Sequence, residues 1–321
     1  MRRSLIILLK IVIMVALMSF LYKTNRSSFE QAFSLLSLSF LPFFLLSGLL
    51  FIGNIILLTF RQILLLKPIQ ISISFRDMFR CSYGGMFANM FLPAGMGFDV
   101  LRLFHFRSRS SFSLVLGWVV TDKVIGLLGL LILSLLSINI VLLFGAAKDT
   151  YVLVLNPVII VLLSMILFLI ASKKGIAVVM AFLGKVRWLS NNSLISSFLE
   201  SPKRYLAPRD CIIRAILISL SSGLAALLGV SVLGYALGGM DMALATLLFS
   251  PVVMLSAIIP ISPGNLGWTE AVAAVVGDAF GNSGGLTVFL LWRIVTMVFS
   301  LGGLPVILSS RRFIRTSRCA E

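Results

Sequence analysis

The chain has 321 residues, of which 59% are hydrophobic and only 12% are charged. Soluble domains contain about half apolar and about a quarter charged residues, so the composition excludes a soluble or secreted enzyme. It indicates an integral membrane protein. The 27 lysines and arginines against 11 acidic residues give a net charge of +16. Because the basic residues flank apolar runs, we assign them to the positive-inside rule and anionic headgroups, and expect no nucleic-acid partner.

Long apolar runs predict membrane-spanning helices, because about 20 apolar residues cross the roughly 30 Å hydrocarbon layer. Six runs are long enough for a complete crossing: 4–22, 36–60, 113–145, 151–171, 212–237 and 285–308. The predicted fold is therefore all-α, with one polytopic membrane domain over residues 1–321. A cytoplasmic loop at about 172–210, with an interfacial helix at 175–190, and a basic tail at 309–321 complete the prediction.

Two further hydrophobic regions, 78–106 and 242–281, are interrupted and do not fit a plain crossing. Proline and glycine occupy both breaks: Pro93, Gly95 and Gly97 in the first, and Pro263, Gly264 and Gly267 in the second. In lipid, the backbone groups that such a break frees must be buried in protein or line a wet cavity. We therefore predict two re-entrant helical hairpins.

The distribution of basic residues predicts the orientation. They collect at the N-terminus, around Arg61, in the loop at 172–210 and in the tail, whereas the opposite loops hold few. This asymmetry predicts cytoplasmic termini, with the first hairpin entering from the cytoplasm and the second from outside.

The two breaks also resemble each other. Each has a proline, a glycine four residues later and then an acid. Oppositely inserted hairpins are what an inverted repeat of the halves 1–171 and 172–321 would produce. The match is short, so the sequence leaves both an inverted repeat and a chance similarity open.

Ionisable side chains at membrane depth cost about 2.5–3.5 kcal/mol each, so each requires a partner, a water-filled cavity or a function. Asp99 and Arg102 lie three residues apart on one helical face. They either neutralise each other locally, or Arg102 binds an anionic headgroup while Asp99 orients it. Asp122 and Lys123 point about 100° apart on a helix, so at least one must face a partner elsewhere.

Glu270, after the second break, and Arg293, in the last crossing, form either a structural pair or part of a site. Other chemistry has little support. His105 is the only histidine, and the sequence contains no phosphate-binding glycine loop and no serine triad. We therefore expect no metal, no cofactor and no catalytic residues.

The motifs resemble one known family. The stretch from Asn89 to Arg102, the Asp122-Lys123-x-x-Gly126 motif, and the stretch from Pro260 to Glu270 with Arg293 are similar to the transmembrane region of lysylphosphatidylglycerol synthases, a flippase-like family. In the bifunctional multiple-peptide-resistance enzymes of this family, such a region moves an aminoacylated phospholipid between leaflets. The resemblance implies a lipid-handling polytopic protein of the inner membrane, here expected to lack the soluble aminoacyltransferase domain.

Departures from the family pattern at Ala94, Met96, Asn265 and Thr269 leave the headgroup identity open. The first hypothesis is a lipid translocase whose hairpins meet near the midplane and whose partners are membrane lipids. Its headgroup site would combine three cations with three orienting acids: Arg102, Lys123 and Arg293 with Asp99, Asp122 and Glu270. The alternatives are a membrane enzyme acting on polyprenyl phosphates, with Asp99 or Glu270 as base, and a non-catalytic partner that recruits a lipid or glycan synthase through loop 172–214.

Overall fold

The computed structural model describes residues 12, 15–16, 18–35, 37–92, 96–106, 110–144, 156–165, 207–259 and 261–308. Within these ranges all regular structure is helical and no strand occurs, which confirms the all-α class. The main helices are α1 (Arg26–Ser34), α2 (Leu41–Leu66), α3 (Phe75–Asn89), α4 (Met96–Phe106), α5 (Phe112–Leu143), α6 (Asn156–Met165), α7 (Arg209–Ser256), α8 (Trp268–Ala279) and α9 (Gly285–Ser300).

Four described stretches are long and apolar enough to cross a membrane: Leu38–Ile69, Leu114–Leu143, Arg209–Ser256 and Gly285–Leu308. They correspond to the crossings predicted at 36–60, 113–145, 212–237 and 285–308. The crossings predicted at 4–22 and 151–171 lie partly outside the described residues and stay predictions. The loop 172–210 with its helix at 175–190, and the tail 309–321, lie wholly or almost wholly outside them.

The second crossing continues beyond its predicted end at residue 60. Helix α2 runs to Leu66, and a 3-10 turn extends it to Ile69. Arg61, the first charge after the predicted end, is buried within this helix. The predicted end at residue 60 is wrong, because a charge that finds a buried partner does not end a helix. The cytoplasmic orientation of this end stays a prediction.

Helix α7 folds back on itself. Gly239 has a φ of +73°, a left-handed conformation that favours glycine. Ser231 Oγ donates a hydrogen bond to the Ala243 carbonyl at 2.7 Å. In a straight helix, residues twelve apart would be separated by about 18 Å. The α7 helix therefore consists of two antiparallel arms, and the first arm ends close to the predicted limit at residue 237.

The first break joins α3 and α4 in a tight antiparallel hairpin. The ring of Phe98 packs on Gly85, and the Gly97 amide donates to Asn89 Oδ1 at 2.8 Å. A methyl group on Gly97 would lie 2.5 Å from the Asn89 amide nitrogen, so only glycine allows this approach. Pro93 and Gly95, the other predicted break residues, lie outside the described residues.

The second break lies between the second arm of α7 and helix α8. It contains a 3-10 turn at Pro263–Asn265, with Gly264 and Gly267 at φ of +57° and +80°. A methyl group on Gly264 would lie 2.6 Å from the carbonyl oxygen of Met90. The two breaks are therefore in direct contact, through the backbone at the end of the first half-helix.

A substitution at Gly97, in the first break, tests this packing. Gly97→Ala should destabilise the protein by about 1–3 kcal/mol, because the added methyl overlaps the α3 backbone. Gly53→Ala is the matched control. Gly53 lies within α2, and a methyl group there would have no atom within 4 Å, so alanine should be neutral or stabilise by up to about 1 kcal/mol. Thermal unfolding in detergent measures both; equal effects would contradict the hairpin packing.

Candidate functional site

The six ionisable residues predicted at membrane depth form two clusters. The Asp122 cluster contains Asp99, Arg102, Asp122 and Lys123. The Glu270 cluster contains Glu270 and Arg293. No hydrogen bond or ion pair among the described residues joins Arg102 or Asp122 to the residues of the Glu270 cluster. The arrangement is therefore two charged centres around the first hairpin and the second break, and not one ring of six side chains.

Asp122 is the centre of the first cluster. Its side chain is 2% exposed and accepts from two arginines on other helices. Arg61 Nε donates to Oδ1 at 2.8 Å, and Arg102 Nη1 donates to Oδ2 at 2.7 Å. Arg61 Nη1 also donates to Ser219 Oγ at 3.0 Å. This single carboxylate thus connects α5 with α2 and α4, and Arg61 extends the connection to α7.

The neighbouring acid makes a separate pair. Asp99 Oδ2 lies 2.5 Å from Lys123 Nζ, with side-chain exposures of 16% and 48%. Asp99 therefore does not form the local pair with Arg102 that was one of the two interpretations of their spacing. Helices α4 and α5 each contribute one acid and one cation to two ion pairs. The Arg102–Asp122 pair is buried, and the Asp99–Lys123 pair is partly exposed. Asp122 and Lys123, adjacent in sequence, contact different residues.

Arg61 belongs to this cluster, and Gln62 follows it on α2; neither residue was part of the site predicted from the sequence. The available signal was the apolar run at 63–66, which follows them before Lys67 and shows that the span continues. Gln62 is fully buried, and its Oε1 accepts from Ser82 Oγ at 2.7 Å. Its backbone carbonyl accepts from Trp118 Nε1 at 3.2 Å. The polar residues at the end of α2 therefore contact α3 and α5.

Aromatic rings surround the guanidinium of Arg102. Its Cζ lies 5.2 Å from the centroid of Phe98 and 5.5 Å from that of Trp118. Trp118 is fully buried in an apolar core that also includes Leu65 and Phe106. Cation–π contacts of this kind stabilise a buried cation more when it is desolvated.

In the second cluster, Glu270 closes the helix that carries it. Its Oε2 accepts from the Gly267 amide at 2.8 Å and from Thr269 Oγ1 at 3.1 Å, while Oε1 accepts from Arg293 Nε at 2.8 Å. Gly267 precedes the first residue of α8, so the carboxylate caps the helix and also benefits from its dipole. Glu270 and Arg293 thus form the ion pair that was one of the sequence interpretations.

Arg293 binds the backbone of the second break. Its Nη1 donates to the Gly264 carbonyl at 2.9 Å, and its Nη2 donates to the Asn265 carbonyl at 3.3 Å and to Thr269 Oγ1 at 2.6 Å. A broken helix exposes carbonyl groups that lipid cannot satisfy. The guanidinium supplies these donors, so Arg293 stabilises the break as well as neutralising Glu270.

A cavity of about 260 Å³ lies where the two breaks meet. Its polar lining comes from the first hairpin, the second break and α9: Asn89, Asn265, Thr269, Glu270, Arg293 and Thr296. Four methionines supply much of the apolar lining: Met86, Met90, Met254 and Met297. The volume is slightly below the roughly 300–1,000 Å³ of pockets for drug-sized ligands, so it suits a headgroup and not a whole lipid. Methionine adapts its shape to varied apolar partners.

Four long apolar helices, a buried ion pair that joins two of them and two broken helices define a multi-pass membrane protein. The family described as the lysylphosphatidylglycerol synthase TM region matches residues 7–303, and the chain belongs to this family. The match confirms the resemblance inferred from the motifs, and it identifies a membrane protein involved in lipid biogenesis. No curated protein and no solved structure matches the chain.

Replacing the two acids of the first cluster should have unequal effects. Asp122→Asn leaves two buried arginines without a carboxylate and should cost about 3–5 kcal/mol. Asp99→Asn removes one partner of a partly exposed pair and should cost at most about 1 kcal/mol. Unfolding of the purified variants in the same detergent measures both changes. A loss at Asp99 as large as at Asp122 would contradict the assignment of Asp122 as the centre.

Proposed function

We propose that the protein is a lipid translocase. It moves an anionic or aminoacylated phospholipid, or a polyprenyl-phosphate-linked lipid, between the leaflets of the inner membrane, in envelope lipid or glycan biogenesis. The observation that carries the proposal is the cavity at the contact of the two breaks, which is lined by polar groups inside an otherwise apolar bundle. The barrier to lipid movement is transfer of a polar headgroup through hydrocarbon, and a polar cavity lowers it.

In this proposal both hairpins are re-entrant and enter from opposite faces, within a bundle of six crossings and with cytoplasmic termini. The contact between Gly264 and Met90 then lies at the depth where the two hairpins end. A headgroup that reaches the cavity from one leaflet meets side chains from both hairpins. Broken helices around a central binding site are a common feature of transporters.

The ion pairs have a defined role in this mechanism. Arg102, Lys123 and Arg293 recognise a phosphate, and each is paired with an acid on another element. Pairing keeps each cation neutralised and oriented before the lipid arrives. An anionic headgroup can then bind a cation that the carboxylate keeps in position, so that no charge in the membrane is left without a partner.

Two observations favour transport over chemical conversion of the lipid. Glu270, the buried candidate for a general base, already accepts three hydrogen bonds. Asp99, the other candidate base, is already paired with Lys123. A base must accept a proton from its substrate, and both of these carboxylates already have structural partners.

The test is a headgroup accessibility assay in proteoliposomes. Purified protein is reconstituted with short-chain fluorescent phospholipids or polyprenyl phosphates, and dithionite or enzymatic accessibility reports movement between leaflets. We expect movement with the wild type and its loss in both variants. Arg102→Ala removes a cation that recognises the headgroup, and Glu270→Ala leaves Arg293 without its carboxylate. Arg26→Ala is the matched control, since it removes an arginine from an exposed pair with Glu30.

The outcomes separate the alternatives. Transport retained in both site variants would overturn the translocase assignment. A change in lipid mass would identify an enzyme, because a translocase changes only the sidedness of the lipid. Absence of transport with every lipid, together with mutational effects confined to the loop at 172–214, would identify a partner that recruits a synthase.

A further inference from the structure

The Asp122 cluster carries an excess positive charge inside the protein. Arg61 and Arg102 are 5% and 3% exposed, and they share the single carboxylate of Asp122. The adjacent Asp99–Lys123 pair is neutral and does not supply the missing negative charge. Burying a net charge is strongly disfavoured, and among the described residues this cluster is one anion short.

Two buried hydrogen-bond donors, one on Arg102 and one on Gln62, have no partner among the described residues. Among the described residues the only hydrogen-bond acceptor for Arg102 is Asp122, although a guanidinium has five N–H groups. Arg102 Nε and Gln62 Nε2 are both buried and have no partner among these residues. The Gln62 acceptor is already used, because Oε1 accepts from Ser82. The cluster therefore lacks an acceptor as well as a negative charge.

Trp118 contacts both residues that carry these donors. Its indole nitrogen donates to the Gln62 carbonyl, and its ring lies 5.5 Å from the Arg102 guanidinium carbon. The contrast with the second cluster is clear: each of the three guanidinium nitrogens of Arg293 has an acceptor. Every nitrogen of Arg293 has a protein acceptor, whereas Arg102 Nε has none and is available to an external ligand.

We infer that Arg102, Gln62 and Arg61 form an oxyanion site of the phosphate class. Arg102 and Gln62 donate to phosphate oxygens, and Arg61 provides the second positive charge while Asp122 holds both arginines in place. A guanidinium matches the geometry of phosphate and forms strong charge-assisted hydrogen bonds with it. The inference deepens the proposed function, and only its link to lipid transport rests on that function. A lipid phosphate and free phosphate share this chemistry.

The decisive variant is Gln62→Glu. The new carboxylate preserves the acceptor for Ser82, removes the amide donor and supplies the missing negative charge. We expect this variant to fold without an added anion and to lose its response to phosphate. Asn54→Asp is the matched control, because it makes the same amide-to-acid change about two turns earlier on α2, where the buried unpartnered atom is the acceptor Oδ1. It should keep the phosphate response.

The experiment measures thermal unfolding of the full chain in detergent, after purification in chloride buffer. Inorganic phosphate should raise the wild-type midpoint saturably by about 3 °C over chloride of equal ionic strength. Phosphatidylglycerol added to the same micelles forms a second arm. Phosphorus analysis of the purified protein provides a separate readout, which detects an anion that is already bound.

A response to the lipid alone identifies a headgroup phosphate, and a response to inorganic phosphate alone identifies a free anion. Either response, or bound phosphorus in the wild type, supports the site if it disappears in Gln62→Glu and persists in Asn54→Asp. A wild type with neither response nor bound phosphorus would overturn it, as would an unchanged response in Gln62→Glu. Phosphate binding without lipid movement in proteoliposomes would overturn the translocase proposal and leave this site standing.

Discussion

Asp122 lies between two arginines from different helices, and the position of the first hairpin depends on this arrangement. Neither Arg61 nor Arg102 can be left without a carboxylate inside an apolar bundle, because an unpaired buried charge costs several kcal/mol. Since one carboxylate serves both, α2 and α4 can each pack on α5 in only one register. The bond from Arg61 to Ser219 adds the first arm of α7 to the same unit.

The two breaks have similar sequences, but their side chains satisfy the backbone differently. After the second break, Glu270 turns back to the amide of Gly267. At the first break this role belongs to Asn89, whose oxygen accepts from the Gly97 amide, while Asp99 contacts Lys123 instead. A short shared pattern of proline, glycine and acid therefore predicts where helices end, and does not determine which side chain closes them.

The helical class, four of the crossings and the two breaks could be predicted because they depend on local properties, namely apolar run length and the positions of proline and glycine. The pairing of charges could not. The nearest acid to Arg102 in sequence is Asp99, yet its partner is Asp122, because the rotation of α4 against α5 decides the contact. Arg61 resembled a flanking charge for the same reason: its partner belongs to another helix. The cavity depends on the contact between the two breaks, which no local pattern encodes.

The contact between Gly264 and the Met90 carbonyl has a consequence for how the lining of the cavity can vary. Because the atoms in contact belong to the main chain, the contact between the two breaks does not depend on the side chain at position 90. That side chain, like the other methionines around the cavity, can be exchanged without separating the two breaks. Gly264 has no such freedom, since its positive φ and the nearby oxygen both exclude a side chain. The side chains around the cavity can therefore change in this scaffold while the contact between the two breaks stays the same.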